Sequence, residues 1–301
     1  MFQLYDIQGP VKAISEPTAV TVGVFDGVHV GHQALIKQLS SLHPQLAPLV
    51  VTLTAHPSYV LGRHPSEYWL DDPDEHLRLL FEAGAKYVAV LPFTPEVAQL
   101  SACQMARLMY DELYMRHLLL GYDSRFGSKQ NDDFDQLSLL AARMGFPLQR
   151  GESYLADAAP ISSSRIRESL SSGSVSQTAS LLGRPYSITG TVLHGRGVGH
   201  TLGFPTANID LSQTRKMLPK EGVYAVWACG HEGVANLGPT PTFGINTPSL
   251  EVHIADFNSD LYGQTVCVEF RHRLRDIMRF DSSEALQRQM QADIKQARCQ
   301  W

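Results

Sequence analysis

The sequence predicts two domains of different class. Residues 1–182 read as a doubly wound α/β domain, a parallel sheet with helices on both faces, and residues 183–301 as a small antiparallel β-barrel with a C-terminal helix. Three observations carry this expectation. Apolar β-type runs alternate with helix-period segments over roughly the first 150 residues, the pattern of a parallel sheet whose crossovers cover both faces. From Gly183 onward the chain changes to short β-type segments separated by turn residues, as in a barrel. Ser282 to Ala297 then has the apolar spacing of an amphipathic helix.

The first element is Thr21 to His32, TVGVFDGVHVGH, which reads as an apolar strand (Val20, Val22, Val24), a tight turn at Asp26-Gly27, and His29 and His32 where a helix begins. Such a turn aims backbone N–H groups and the positive end of a helix at one spot, which suits an anion. Glycines at 23, 27 and 31 allow close approach to the backbone. The histidines can hydrogen-bond phosphoryl oxygens. A plain glycine turn and a His-x-x-His metal site are the competing readings, and no Walker loop is present because no Lys-Ser/Thr follows the glycines.

Gln33 to Leu42 has helical spacing and stops before Pro44, and residues 48–57 read as a buried strand ending at His56-Pro57. Asp74 to Ala83 reads as a helix, residues 86–93 as a strand, residues 101–118 as one long helix, and LLLGYDSRFG as a short strand running into the Asp123 loop. A helix at Phe134 to Met144 and a strand at Phe146 to Gln149 follow. Ligands collect at the carboxyl ends of parallel strands, so the histidine turn, His56 and Asp123 are expected to converge. AAPISSSRIRESL then offers hydroxyl and guanidinium donors, Ser163, Ser164 and Arg167, at a helix start; an ordinary serine-capped surface helix is the alternative.

In the second half, HGRGVGHTLGFPTANID carries a loop with Gly195, Gly197 and Gly199 that can fold over phosphates. Thr206 and Asn208 follow, a hydroxyl and an amide oxygen suited to Mg²⁺. Glu251 lies in LEVHIADF, where it is either a general base or a strand-edge surface carboxylate.

Composition narrows the function. Hydrophobic content of 44% with 18% charged residues fits a globular enzyme. Residues 1–182 carry 13 Lys/Arg against 19 Asp/Glu, and residues 183–301 carry 12 against 11, so neither half has the charge of a nucleic-acid binder. The four cysteines form no C-x-x-C pair and read as reduced thiols of a cytoplasmic protein. No signal peptide or membrane span is expected, and nothing in the sequence indicates an oligomer.

GVFDGVHVGH resembles the His-x-Gly-His signature of nucleotidylyltransferases, most closely the adenylyltransferase half of bacterial bifunctional riboflavin kinase/FAD synthetases. GRPYSITGTV, LGFPTANI, NLGPTPTFG, LEVHIADFNSDLYG and LRDIMRFDS are similar to successive flavokinase motifs. The resemblance implies a Rossmann-like adenylyltransferase domain followed by a flavokinase barrel, with riboflavin, FMN, ATP and Mg²⁺ as substrates and cofactor and FAD as product. It implies that Gly23, Phe25, Asp26, His29, His32, Ser163, Ser164 and Arg167 bind ATP in the first site, His29 and His32 acting catalytically, with His56, Pro57 and Asp123 at FMN. In the kinase it implies Gly195, Gly197, Gly199, Thr206 and Asn208 at Mg²⁺-ATP, Glu251 as the base for the ribityl 5′-hydroxyl, and Arg275 near the flavin.

Departures fall at Leu53-Thr54-Ala55, which replace the family's Phe-x-Pro, at Ser124, where an aromatic is common, and at Thr240. An aromatic-to-serine change removes apolar contact for a flavin ring. The alternative they raise is a riboflavin kinase with a weak or altered first domain.

Overall fold

The computed structural model describes residues 1–54, 69–122, 124, 126–127, 133–156, 159–195, 203–239 and 248–300. They form two compact units, Met1–Ser162 and Ser163–Trp301. In the first, β1 (Gln3–Asp6) and β2 (Gly9–Val11) make a hairpin, and β3 (Thr18–Val22) leads into α1 (Val30–Leu42). Then come β4 (Ala47–Leu53), α2 (Pro73–Glu82), β5 (Tyr87–Leu91), α3 (Ala102–Glu112), β6 (Met115–Leu120), α4 (Asp133–Met144) and β7 (Leu148–Arg150). The short strands β8 (Leu155–Ala156) and β9 (Ala159–Pro160) pair with each other.

The main sheet runs β2-β1-β5-β4-β3-β6-β7. Strands β3 to β7 are mutually parallel, and the N-terminal hairpin adds antiparallel strands beside β5. The chain leaves β3 toward β4 on one side and returns as β6 on the other. Strand order therefore reverses at β3, and the carboxyl ends of β3 and β6 border the crevice where such sheets bind ligands. Both faces are covered, as expected. Phe25, Val28 and Ile36 pack with Leu79 and Leu80 of α2 on one face, while Met105 and Met109 of α3 and Leu137 of α4 pack on Val20, Leu49 and Leu118 on the other.

One expected element is corrected. The helix predicted over 101–118 ends at Glu112, and Met115 to Leu120 form β6 between β3 and β7. Ser101 and Gln104 start the helix as a capping box. Tyr114 then takes the left-handed conformation, φ 55°, and redirects the chain. The apolar run fits a helix or a strand; backbone pairing with Thr18 to Val22 decides for the strand. The N-terminal hairpin was not read from the sequence at all.

The second unit opens with α5 (Ser163–Ser172) and α6 (Val175–Leu182). These helices join the barrel side of the chain: Lys220 N–H donates to Leu170 C=O, and Ser176 Oγ to Arg271 C=O. The strands β10 (Tyr186–Leu193), β11 (Ala207–Ile209), β12 (Gly222–Ala228), β13 (His231–Pro239), β14 (Pro248–Ile254) and β15 (Thr265–Arg275) close into a barrel in the order β10-β11-β14-β13-β12-β15. Helix α7 (Ser283–Arg298), capped by Ser282, packs against it. Arg275 grips the buried Asp293 of α7 through Nε at 2.9 Å and Nη2 at 2.7 Å.

Two outcomes follow. Burial, and then the neighbouring His43 ring, holds the fully buried His117 of β6 below its ordinary range near 6.5, with Gln149 opposing. The unfolded chain therefore takes up the proton first, and stability present above about pH 6.5 is lost as pH falls below it. Urea denaturation at pH 7.5 and 5.0 should show that loss, and His117→Leu should shrink it; an unchanged slope would overturn the assignment. Asp293→Asn should destabilise the second unit by about 2–3 kcal/mol, measured by chemical denaturation, because it leaves a largely buried guanidinium without its carboxylate.

Candidate active sites

In the first unit the loop after β3 is strained. Phe25 (φ 53°), Gly27 (φ 82°) and Val28 (φ 35°) all occupy the left-handed region, which is unfavourable for the aromatic and for β-branched valine. Burial of both side chains against α1 and α2 holds them there. Two buried carboxylates complete the grip. Asp26 Oδ1 accepts the Leu70 N–H at 2.8 Å, and Asp71 Oδ1 accepts the Gly27 N–H at 2.5 Å, so each segment holds an amide of the other.

His29 is the N-cap of α1, which starts at Val30, three residues ahead of the predicted Gln33. Its Nδ1 accepts the His32 N–H at 3.2 Å, which leaves Nε2 as the hydrogen-bearing nitrogen of the neutral ring. The two imidazoles stack with centroids 3.5 Å apart, and Phe25 packs edge-on to His32 at 5.1 Å. Gly31 makes this possible, since a Cβ there would lie 3.3 Å from the His29 ring. Burial, followed by electrostatic competition from the His29 and His76 rings, pushes His32 well below its usual value and keeps it neutral. Its Nδ1 is sealed and has no hydrogen-bond partner among the described residues, so turning the ring toward a ligand breaks no existing bond.

The expected supply of free amides is smaller than the sequence suggested. The Gly27 N–H goes to Asp71, the Val28 N–H to Phe25 C=O and the His32 N–H to His29. Val30 and Gly31, in the first turn of α1, are left to present theirs. Gly23 closes β3 against Val51 C=O. Ser124, after β6, reaches Val22 C=O at 3.4 Å, so the β6 loop does come to the end of β3. His56, Pro57 and Asp123 lie outside the described residues.

In the second unit Ser163 and Ser164 begin α5 and Arg167 follows one turn later. The barrel brings the kinase residues into register. Asn208 of β11 lies directly opposite Glu251 of β14, and Glu251 lies opposite Asn236 of β13. Directly opposed residues share a face with Cβ atoms about 5 Å apart. The same row continues through Val223 to Arg275, though that guanidinium is engaged by Asp293 and by Asp276 C=O. Gly195 lies against Asn208, where a Cβ would approach its Nδ2 to 2.1 Å. His253 Nδ1–H donates to Pro205 C=O at 2.9 Å and ties the segment before Thr206 to β14. Gly197 and Gly199, like Thr240, lie outside the described residues.

Sequence reasoning missed Asp71 and Asn236. Asn236 stood inside the quoted NLGPTPTFG stretch, but only the strand register shows what it faces. Among the described residues no three His, Cys, Asp or Glu side chains gather as an ion site.

Comparison with known proteins finds a family model for each half of the chain. The FAD synthetase family model matches residues 11–165, and the riboflavin kinase (flavokinase) model matches residues 182–301. The bifunctional riboflavin kinase/FMN adenylyltransferase of Haemophilus influenzae is 37% identical over 295 residues, 93% of either chain. That of Escherichia coli K12 is 35% identical, covering 95% of this chain and 94% of its own, and that of Bacillus subtilis is 33% identical over 95% and 93%. A crystal structure titled as a macrolide-efflux protein from Streptococcus pneumoniae superposes with a TM-score of 0.84 at 30% identity, covering 95% and 96%. We take that likeness as one of fold; no helix among the described residues is long and apolar enough to cross a membrane. The chain belongs to the bifunctional riboflavin kinase/FMN adenylyltransferase family.

Proposed function

We propose that the barrel phosphorylates riboflavin to FMN with ATP, and that the α/β unit adenylylates FMN with a second ATP to give FAD and pyrophosphate. The observation that carries the reading is the barrel row that sets Asn208 directly opposite Glu251, with Gly195 against the asparagine.

In the kinase, Glu251 takes the proton of the ribityl 5′-hydroxyl as its oxygen attacks the γ-phosphorus and ADP leaves. Thr206 and Asn208 hold Mg²⁺, which when bound offsets the phosphate charge. The oxygen chemistry of the pair suits this, and Gly195 lets the backbone lie closer to Asn208 than any side chain would allow. The loop with Gly195, Gly197 and Gly199 covers the phosphates. Arg275 as a flavin neighbour rests on the resemblance.

In adenylyl transfer the nucleophile is a phosphate oxygen of FMN, already ionised at neutral pH. No base is needed. His29 instead donates from Nε2 to the phosphoryl oxygens where charge builds, beside the amides at the start of α1. Gly23, Phe25 and Asp26 shape the turn; Ser163, Ser164 and Arg167 as ATP donors rest on the resemblance. His56, Pro57 and Asp123 serve FMN. Ser124 offers it no ring to rest on.

Chromatography of products checks each step. Glu251→Gln should lower FMN formation by about 10²–10⁴ while leaving FAD formation from supplied FMN intact. Gly195→Ala should impair the kinase alone, raising KM for Mg-ATP. His29→Ala should cost adenylyl transfer about 10²–10³ and spare the kinase. NMR titration should find the His32 ring neutral at pH 6.5, and protonation there would contradict this account.

A further inference from the structure

We propose that His76 is a positioning residue for adenylyl transfer: held between Asp71 and Thr52, its ring clamps both ends of the strained turn on which His29 and His32 stand. The inference rests on the reading of that turn as the adenylyl-transfer site.

The geometry is a continuous relay. Thr52 Oγ1, on β4, donates to Val24 C=O at 3.0 Å, the carbonyl that enters the turn. His76 Nε2, on α2, is 3.1 Å from Thr52 Oγ1, and its Nδ1 is 2.8 Å from Asp71 Oδ2. The other Asp71 oxygen accepts the Gly27 N–H in the middle of the turn. Four hydrogen bonds thus join the Val24 carbonyl to the Gly27 amide around the residues with positive φ.

Proton counting assigns the donor at one end. A threonine hydroxyl has one proton, and Val24 C=O takes it, so His76 Nε2 must donate to Thr52. At the other end Nδ1 and Asp71 Oδ2 share one proton across 2.8 Å, at a fully buried carboxyl side chain that lies beside a second buried acid, Asp26.

The clamp bears on the reacting groups in two ways. His29 begins α1 one residue after Val28, so a turn that relaxes moves the Nε2–H donor with it. His76 also opposes protonation of its neighbour His32. A displacement of about 1 Å at a reacting group costs on the order of 10²-fold in rate.

The test uses the full chain, assaying FMN-to-FAD conversion and, on the same preparations, riboflavin phosphorylation as an internal control. His76→Gln should lower the adenylyl-transfer kcat at least about tenfold, with the KM for FMN and the kinase rate within about twofold of wild type. Added imidazole should restore part of the kcat of His76→Ala and none of that of His29→Ala. Thr52→Val breaks the relay while leaving the bond between His76 and Asp71, and should lower kcat about three- to tenfold with an unchanged melting temperature. A wild-type kcat in His76→Gln or Thr52→Val overturns the proposal, as does a lost kcat in His76→Ala that imidazole does not restore. If His29→Ala and His32→Ala themselves keep full adenylyl transfer, the reading of the turn fails; if they are inactive and His76→Gln is active, the clamp alone fails.

Discussion

Two carboxylates buried at one turn, Asp26 and Asp71, set the terms for the first unit. A buried carboxylate is tolerated only where hydrogen bonds and opposite charge replace water. Each acid meets that demand with a backbone amide of the facing segment, and Asp71 adds an imidazole. The exchange fixes where the chain between β4 and α2 must return, and that fixes α2 over the turn. Phe25 and Val28 then sink into the same apolar cluster as Ile36 and Leu80. The anion site proposed here carries a cost: amides that would have faced a ligand are spent on holding the turn. What remains for substrate is the first turn of α1 and two stacked imidazoles.

The second unit meets the same need for fixed geometry by another route. Among its described residues expected at the kinase site no non-glycine backbone is left-handed, and strand register aligns Asn208, Glu251 and Asn236. A slip of one residue between β11 and β14 would send Asn208 and Glu251 to opposite faces. Closure of the six strands suppresses that slip, since each strand is paired on both edges. The apolar alternation that buries Leu250 and Val252 is the same alternation that turns Glu251 outward. Packing and function are therefore set by one pattern. Arg275 and Asp293 extend the row into α7, so that the terminal helix is held by the strand that ends there.

The two sites also use charge differently. Phosphorylation of a hydroxyl requires a proton acceptor, and the barrel offers a carboxylate among amides. Adenylyl transfer to a phosphate requires none, and the turn offers neutral imidazoles in a dry setting. Burial depresses the basicity of His32, which would be a defect in a base and is none where the reaction asks for no proton acceptor.

Much of this was legible in the chain. The strand–helix alternation, the histidine turn and the Pro-Thr-Ala-Asn segment are local in sequence, and local chemistry determines them: apolar period, glycine placement, a proline before paired oxygen donors. The sequence alone determined the fold class of each half and the residue types at each site. It could not determine whether residues 115–120 continue a helix, because the apolar run satisfies both periods and only pairing with Thr18–Val22 separates them. Nor could it join Asp26 to Leu70, Thr52 to His76, or Asn208 to Glu251 and Asn236, which lie 24 to 44 residues apart along the chain in the first two cases. Those contacts were decided by the tertiary structure alone, because a hydrogen bond or a cross-strand pair is a relation between segments, and only folding brings them within reach of each other.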